Sequence, residues 1–209
     1  MTDTSTTALA ISNLLIALEE EDILIELLGD EIVLNNNSWK IQPDNLVKIM
    51  PNGIVVKNFK LGYGNGLITI NNKEEGNGLS PLQLQISDFD LKDISQLVGL
   101  DSLELSGLLN GEVEAANPMG DLKATAHVDL TELVYSGMKL GDVVLKTEYE
   151  KNGKIPIDLK ISGGDLDGLL LGSYDLNQPD KALNLGLDIH RFDVSSLNHI
   201  LEETVSDLK

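Results

Sequence analysis

Residues Leu103–Leu130 read LELSGLLNGEVEAANPMGDLKATAHVDL, and this stretch decides the fold. Apolar residues alternate with polar ones from Leu103 to Ala115, with Leu108 as the exception, and again from Leu122 to Leu130. A period of two places successive side chains on opposite faces of a β-strand. Asn117–Gly120 between the two runs has the composition of a turn. The stretch therefore predicts a long antiparallel hairpin with one apolar face and one polar face.

The same alternation recurs along much of the chain, and it predicts an antiparallel sheet with one solvated face. Ile23–Leu28 and Glu31–Leu34 flank Gly29-Asp30, which predicts a hairpin turn there. Thr7–Leu18 is dense in Leu, Ile and Ala, and a helix is predicted for it. Further strands are predicted at Trp39–Gln42, Ile54–Leu61, Leu67–Ile70, Leu82–Ser87, Val143–Tyr149, Ile157–Ser162 and Leu183–His190.

An internal repeat relates two parts of the chain. Phe89-Asp90-Leu91 and Phe192-Asp193-Val194 lie 103 residues apart, and apolar residues before and after them keep the same spacing. In each copy a strand ends at Phe, and Asp is placed to cap a short helix. The predicted organisation is an N-terminal lead with a possible helix (1–22), a first β repeat (23–102) and a second β repeat (103–209), within one continuous curved sheet.

The apolar face of this sheet has few helices to cover it. Two or three short helices cannot roof roughly a dozen strands, and large sheets twist and curl. The predicted fold class is all-β, mainly antiparallel, with a strongly curved or rolled sheet that forms a trough. An interior of aliphatic residues with 4% aromatics would hold acyl chains without a fixed register. The remaining alternative is that the face packs on itself.

Composition excludes several functions. A formal charge of −19 leaves no basic patch for nucleic acid, and the absence of cysteine removes thiolate chemistry. No apolar run approaches the ~20 residues that span a bilayer. His127, His190 and His199 lack metal-ligand spacing, and no catalytic arrangement is recognisable, so neither catalysis, a metal nor a cofactor is predicted.

Two glycine-rich segments could suggest ligand sites. Gly62–Gly66 leads into a predicted strand, whereas a phosphate loop leads into a helix, so this segment predicts a turn. Gly163–Gly168 has the look of a calcium-binding turn but occurs only once, so an ordinary turn is predicted and calcium stays an open alternative.

Several short segments follow one another in a characteristic order along about residues 23–203. They are Trp39–Asn45, Asn58–Leu61, Phe89–Leu91, Leu105–Gly111, Asn117-Pro118, Leu133–Gly137, Leu140–Asp142 and Gly172–Leu176. Together they resemble the TamB family of the AsmA-like superfamily, in the form carried by Bacteroidetes-type bacteria. On this resemblance the chain is expected to be an internal fragment of a longer protein.

The resemblance implies an envelope protein of Gram-negative bacteria, anchored in the inner membrane and crossing the periplasm. It implies a β-taco groove that carries phospholipid acyl chains between the membranes and supports outer-membrane protein assembly, with a TamA- or BamA-like outer-membrane barrel as partner of the full-length parent. The expected groove-lining residues are Leu103, Leu105, Leu109, Val113, Ala124, Ala126, Val128, Leu130, Ile157, Leu159, Ile161, Leu183, Leu185, Leu187 and Ile189.

Two other functions compete with a lipid conduit. A structural β-solenoid or adhesin module would use the apolar face only as a packed core, but rungs of ~20–30 residues would be expected and the repeat is longer. A calcium-dependent module would depend on Gly163–Gly168. An enzyme is the least expected class.

Overall fold

The structure is a computed structural model that describes residues 7–11, 13–34, 37–97, 104–150, 153–178 and 182–196. The chain divides into two compact units. Unit 1 comprises Met1–Ser87 and Glu112–Thr125, and unit 2 comprises Asp88–Gly111 and Ala126–Lys209.

Antiparallel strands make up most of the described residues, which confirms the predicted all-β class. The strands are β1 Thr7–Ile11, β2 Leu14–Glu19, β3 Asp22–Leu27, β4 Glu31–Leu34, β5 Asn37–Ile41, β6 Leu46–Met50, β7 Gly53–Lys57, β8 Phe59–Tyr63, β9 Gly66–Asn72, β10 Leu82–Asp90, β11 Leu105–Ala116, β12 Lys123–Tyr135, β13 Met138–Tyr149, β14 Lys154–Gly163, β15 Leu166–Asp175 and β16 Leu183–Phe192. One α-helix, α1 (Leu91–Leu97), and one 3-10 helix, Val194–Ser196, complete the described elements.

In the described part of the chain the strands form two sheets. The first has five strands in the order β1-β2-β3-β6-β7, and the second has eleven in the order β16-β15-β14-β13-β12-β11-β10-β9-β8-β5-β4. Strands that follow one another in sequence are mostly neighbours in the sheet, as short connections favour.

The predicted helix over Thr7–Leu18 is wrong. β1 and β2 occupy this stretch and pair antiparallel, and Ile16 of β2 pairs in turn with Ile25 of β3. Aliphatic residues stand at both odd and even positions here, so the period of two is hidden. The strand is chosen by pairing with β3, a partner that local composition does not reveal.

The segment Gly29-Asp30 is a bend within an extended stretch, so the predicted hairpin turn is wrong. β3 before it belongs to the five-stranded sheet, and β4 after it belongs to the eleven-stranded sheet. Likewise, the predicted strand Ile54–Leu61 is broken at Asn58, whose φ is 50°, into β7 and β8 of different sheets. Because β5 lies in the eleven-stranded sheet and β6 in the five-stranded one, three neighbouring stretches of unit 1 run through both sheets: β3–β4, β5–β6 and β7–β8.

One extra residue on the middle one of these stretches, β5–β6, accounts for the bend. Ile25 and Glu31 lie six positions apart, whereas their partners Val47 and Lys40 lie seven apart. The stretch on the other side, β7–β8, shows the same difference of one residue. Asp44, with φ 55°, lies between the two registers. An extra residue of this kind is a β-bulge, which bends a strand and raises its twist.

Two buried asparagines complete the hydrogen bonding where the sheets of unit 1 divide. Asn45 is 4% exposed; its Oδ1 accepts from Leu27 N–H at 2.8 Å, and its Nδ2 donates to the Leu27 carbonyl at 2.8 Å. Asn72 does the same for β7: its Oδ1 accepts from Val56 N–H at 2.7 Å, and its Nδ2 donates to the Ile54 carbonyl at 2.8 Å. Each side-chain amide makes the hydrogen bonds that the backbone of a neighbouring strand would otherwise make. The backbone N–H and C=O groups at the bend therefore keep hydrogen-bond partners.

Other sequence predictions are confirmed. Asn117–Gly120 forms a turn in which Gly120 N–H donates to the Asn117 carbonyl at 3.0 Å, and Gly62–Gly66 is the turn between β8 and β9. The predicted strand Trp39–Gln42 overlaps β5, where Trp39 is 6% exposed and stacks on Tyr63 with ring centroids 5.2 Å apart.

Aspartate caps the short helix in both copies of the repeat. Asp90 Oδ1 accepts from Lys92 N–H at 2.9 Å, and Asp193 Oδ1 accepts from Ser195 N–H at 3.0 Å. The first copy continues as α1, which confirms the helix predicted there. The second begins as the 3-10 helix, and its predicted continuation after residue 196 lies outside the described residues.

Candidate functional site

A row of four leucines crosses the last strands of unit 2. Leu159 of β14 pairs with Leu145 of β13 on one side and with Leu170 of β15 on the other, and Leu170 pairs with Leu187 of β16. Directly paired residues of an antiparallel sheet lie on the same face. The four side chains are therefore neighbours on one face of β13–β16.

Three further rows extend this surface along the strands. They are Val143–Ile161–Gly168–Ile189, Ile157–Gly172–Leu185 and Ile155–Tyr174–Leu183. The residues of these rows and of the leucine row are here called the apolar face. Strand spacing and rise give it a width of about 14 Å and a length of about 20 Å.

The apolar face is poorly covered toward β16. Val143 on β13 is only 5% exposed, whereas Leu187 and Ile189 on β16 are 54% and 51% exposed. The leucines of β14 and β15 in the leucine row are half-buried. Because large exposed aliphatic patches are uncommon on proteins without a partner or ligand, this face is the candidate functional surface.

The structure brings together the predicted lining residues of the second repeat's last strands. Ile157, Leu159 and Ile161 share the apolar face with Leu183, Leu185, Leu187 and Ile189. The remaining predicted residues lie on other strands or outside the described residues. Leu105 and Leu109 on β11, with Ala126, Val128 and Leu130 on β12, are half-buried residues of unit 2; Val113 and Ala124 are half-buried residues of unit 1; Leu103 lies outside the described residues.

Sequence reasoning missed part of the apolar face. Val143 and Leu145 lie two positions apart in the predicted strand Val143–Tyr149, so the period of two places them on one face, although Val144 between them is apolar as well. Leu170 stands inside the run Leu169–Leu171, where apolar residues hide the period. Only the pairing with β14 and β16 assigns Leu170 to the apolar face and its two neighbours to the opposite one.

The opposite face of the same strands is mixed and mostly polar. Asp158 pairs there with Leu171, and Lys160 pairs with Leu169. A cavity of about 440 Å³ lies on this side, and its lining residues are Glu148, Glu150, Lys154, Pro156 and Ser173. Its lining carries both signs of charge.

Unit 1 has a cavity of about 450 Å³ beside the bend. It is lined by Glu26, Leu27, Leu28, Gly29, Asp30, Pro43, Asp44, Asn45, Leu46 and Lys57. The amide of Asn45 is already committed to the Leu27 backbone. The cavity thus lies beside the bend, and one of the amides in its lining is used to hold the backbone there.

The glycine-rich turn Gly163–Gly168 uses its carboxylates for internal hydrogen bonds. Asp165 Oδ2 accepts from Lys139 N–H at 3.1 Å, and Asp167 Oδ1 accepts from Gly163 N–H at 2.9 Å. Arg191 lies 2.8 Å from Asp167 Oδ2 and also donates to the Gly164 carbonyl at 2.7 Å. Among the described residues no group of three or more His, Asp or Glu is placed to hold a metal. The contacts support an ordinary turn.

Charged pairs on the surface perturb three titratable groups. Hydrogen bonding and charge from Asp22, 2.7 Å away, raise the pKa of Lys48. The Lys73 ammonium, 2.9 Å from Glu114, holds the pKa of that carboxyl below its ordinary value. The Ser195 hydroxyl and N–H lower the pKa of Asp193. Lys48 and Glu114 are surface ion-pair groups whose side chains are 32% and 35% exposed, and Asp193 is an exposed capping group.

His127 and His190 each lie beside a carboxylate of their own strand. His127 Nε2 is 3.3 Å from Asp129 Oδ1, and His190 Nε2 is 3.4 Å from Asp188 Oδ2. His199 lies outside the described residues.

No family model, curated protein or solved structure matches the chain. The resemblance to the TamB family therefore stays a prediction from the sequence. In the described ranges, no helix is both long and apolar enough to cross a membrane.

Proposed function

We propose that the chain is a non-catalytic segment of a TamB-like, AsmA-like envelope protein whose apolar face receives phospholipid acyl chains. In this proposal the parent is anchored in the inner membrane, crosses the periplasm and meets a TamA- or BamA-like barrel. It moves phospholipid between the membranes and supports outer-membrane protein assembly.

The observation that carries the proposal is the leucine row, which is half-buried on β14 and β15 and open toward β16. It crosses four strands, and Leu187 at its end is 54% exposed. A packed structural core would bury these side chains, whereas a lipid-binding surface has to leave them accessible. The exposure therefore favours an acyl-chain guest over a solenoid or adhesin core.

The chemistry of the face suits an acyl chain better than a small polar ligand. Its rows contain aliphatic residues, two glycines and one tyrosine, so directed hydrogen bonds are few. Burying one methylene contributes about 0.8 kcal/mol, so ~15 methylenes contribute about 12 kcal/mol before ordering costs. Such a guest would be held without a fixed register and could slide.

One register shift supports a local bend in the strands that carry the apolar face. It lies at Asp167/Gly168, where β15 pairs with β16, and a β-bulge of this kind bends a strand. Bends repeated in neighbouring strands curl a sheet around its inner face. A curled sheet would shield a bound acyl chain from water on several sides.

The test compares two leucines of similar burial on opposite faces. We expect Leu159→Asp to abolish phospholipid that co-purifies with the protein, because it places a carboxylate in the middle of the leucine row. The control is Leu169→Asp, since Leu169 pairs with Lys160 on the other face. Native mass spectrometry and lipid extraction measure bound lipid, and circular dichroism checks the fold.

Two outcomes would contradict the proposal. One is wild-type protein that is free of lipid and does not acquire it from phospholipid vesicles. The other is equal lipid loss in both folded variants. In the first case the structural module becomes the better reading of the apolar face.

A further inference from the structure

The connection between β9 and β10 is longer than a hairpin requires. Lys73 N–H donates to the Pro81 carbonyl at 2.8 Å, so the antiparallel ladder of these two strands continues to that pair. A two-residue turn is enough to close a ladder at such a pair, whereas residues 74–80 lie between the two residues here. Residues 74–80 are called the edge loop below.

The edge loop holds its shape through its own hydrogen bonds. Ser80 is 6% exposed; its hydroxyl accepts from Glu74 N–H at 3.1 Å and donates to the Glu74 carbonyl at 3.3 Å. Asn77 Oδ1 accepts from Leu79 N–H at 3.0 Å, and Asn77 Nδ2 donates to Glu74 Oε2 at 2.7 Å. Compact loops whose ends lie close together and whose own side chains fill them are frequently functional.

The edge loop lies beside β7, the last strand in the order of the five-stranded sheet. Met50 and Gly53 pair across a two-residue turn between β6 and β7. Hydrogen-bonded pairs alternate with non-bonded ones along an antiparallel ladder, beginning with the pair that closes the turn. The backbone groups of β7 that point away from β6 therefore belong to Ile54 and Val56.

The edge loop and Asn72 bond to these outward groups. Ile54 N–H donates to the Gly78 carbonyl of the edge loop at 3.0 Å. Asn72 Nδ2 donates to the Ile54 carbonyl at 2.8 Å, and Asn72 Oδ1 accepts from Val56 N–H at 2.7 Å. Three of the four outward N–H and C=O groups are thus bonded, although in the described residues no strand pairs with this side of β7.

Two buried glycines allow the edge loop to lie directly against β7. A methyl group built on Gly53 would overlap the Gly78 carbonyl oxygen. A methyl group built on Gly78 would overlap the end of the Met50 side chain and lie 3.0 Å from Val55 Cγ2. The loop backbone therefore fills the space that a further strand would occupy.

The composition of β7 explains why its edge needs a cover. The strand reads GIVVK, with β-branched residues at three successive positions and Lys57 as its single charge. Apolar segments of high β-propensity and low charge pair with strands of other molecules when their edges are exposed. Covering the edge with a loop is one of the devices by which natural sheets prevent such pairing.

We infer that the edge loop and Asn72 form a cap that blocks strand addition to β7 and thereby keeps a second copy of the chain from pairing there. When the cap is displaced, two β7 strands can run antiparallel about Val55. Ile54 of one copy then faces Val56 of the other through their outward groups, and Lys57 faces Gly53, so no like charges oppose each other. The inference concerns unit 1 and does not depend on lipid binding.

A shortened variant removes the cap while the β9–β10 ladder is kept. Residues 74–80 are replaced with Asn-Gly, which closes the Lys73–Pro81 pair as a two-residue turn, and Asn72→Ala removes the second part of the cap. We expect sedimentation velocity to show self-association at a concentration about tenfold or more below that of the wild type, because each backbone bond gained contributes a few-fold. The control combines the short loop with Asn71→Ala, which keeps Asn72 in place and should associate less.

Gly53→Ala tests the cap without a deletion. The φ of Gly53 lies outside the left-handed region, so the added methyl group disturbs the edge loop and not the strand backbone. We expect Ile54 N–H to lose protection from hydrogen exchange at low protein concentration, because its acceptor on Gly78 is pushed away. Gly62→Ala in β8 is the matched control and should leave that protection unchanged, since the nearest atoms lie 3.8 and 3.9 Å from its methyl group.

Ile54→Pro shows whether association uses this edge. In the capless variant, which combines the short loop with Asn72→Ala, proline removes an outward N–H that does not bond to β6. It should therefore return association to the wild-type level while the circular dichroism spectrum is kept.

Three outcomes would overturn the inference. They are folded capless protein that associates no more than the wild type, association that Ile54→Pro leaves unchanged, and equal Ile54 exchange in Gly53→Ala and Gly62→Ala. If the capless variant does not fold, the exchange comparison decides. Wild-type protein that binds no phospholipid would refute the proposed function and leave this inference standing.

Discussion

The buried amide of Asn72 offers a direct test of how unit 1 is held together. Its Nδ2 donates to the Ile54 carbonyl and its Oδ1 accepts from Val56 N–H, and the residue is 6% exposed. We expect Asn72→Asp to destabilise unit 1. The carboxylate keeps the bond from Val56 but cannot donate to Ile54, and it places a negative charge against that carbonyl.

The magnitude follows from the two groups affected. Leaving one buried polar group unpaired costs about 1–3 kcal/mol, and burial of the new charge adds to this cost. We therefore expect the free energy of unfolding to fall by about 2–4 kcal/mol. For a chain of this length, such a loss lowers Tm by about 10 °C.

The deficit should depend on pH. Burial and the nearby carbonyl raise the pKa of the introduced carboxyl in the folded state above its unfolded value of about 3.9. The loss is then complete above the raised folded pKa. It shrinks as the pH falls through that pKa, because the protonated carboxyl can donate to the Ile54 carbonyl.

Urea denaturation followed by tryptophan fluorescence is the appropriate assay, because Trp39 is the single tryptophan and lies in the core of unit 1. The control is Asn71→Asp, which introduces the same charge at the adjacent exposed position. The reasoning would be refuted by equal unfolding midpoints for the two variants at pH 7, or by the same pH dependence for both.

Two further changes test close packing and surface charge. Gly172→Ala should lower Tm by several degrees because the added methyl group overlaps the Asn184 carbonyl oxygen. Gly186→Ala is the control and should have little effect, because the nearest atom to its methyl group is a backbone oxygen at 3.8 Å. Calorimetry at low protein concentration compares the two variants. Glu114→Gln should cost less than about 1 kcal/mol, because the pair with Lys73 is exposed. That contribution is present above the unfolded pKa of glutamate and is lost as the pH falls through the lower folded pKa, so matched urea titrations at pH 7 and pH 3 that show an equal deficit would contradict it.

The long strands could be predicted because their alternation is local and nearly continuous. β11 and β12 in the opening stretch, and β14 and β16 further on, show a clear period of two with one polar face. The short helix after Asp90 was equally accessible, since a capping residue and helical spacing occur together. Pairing between sequence neighbours then leaves few alternative strand orders.

The bend in unit 1 could not be predicted because its cause is a mismatch between strands. A single surplus residue near Asp44 is invisible without knowledge of which residues pair. The Gly29-Asp30 dipeptide has the composition of a hairpin turn, but the pairing of β3 with β6 and of β4 with β5 keeps the chain running forward. Local composition therefore misled where tertiary pairing decided.

The candidate site was predictable only in part for the same reason. Polar alternation identified Leu159 and Leu187 as members of an apolar surface. The run Leu169–Leu171 gave no indication of which side chain belongs to which face. The registers of β14, β15 and β16 resolve it, and they reveal that Leu170 completes the row.

The passage of three adjacent stretches through both sheets of unit 1 has a consequence for how that unit opens. The stretches β3–β4, β5–β6 and β7–β8 each continue from one sheet into the other. Opening one sheet of unit 1 therefore also disturbs the backbone hydrogen bonds of the other. Amide protons on the two sides of the bend should thus exchange through one cooperative opening event. The bend then couples the two sheets and does not act as a hinge between them.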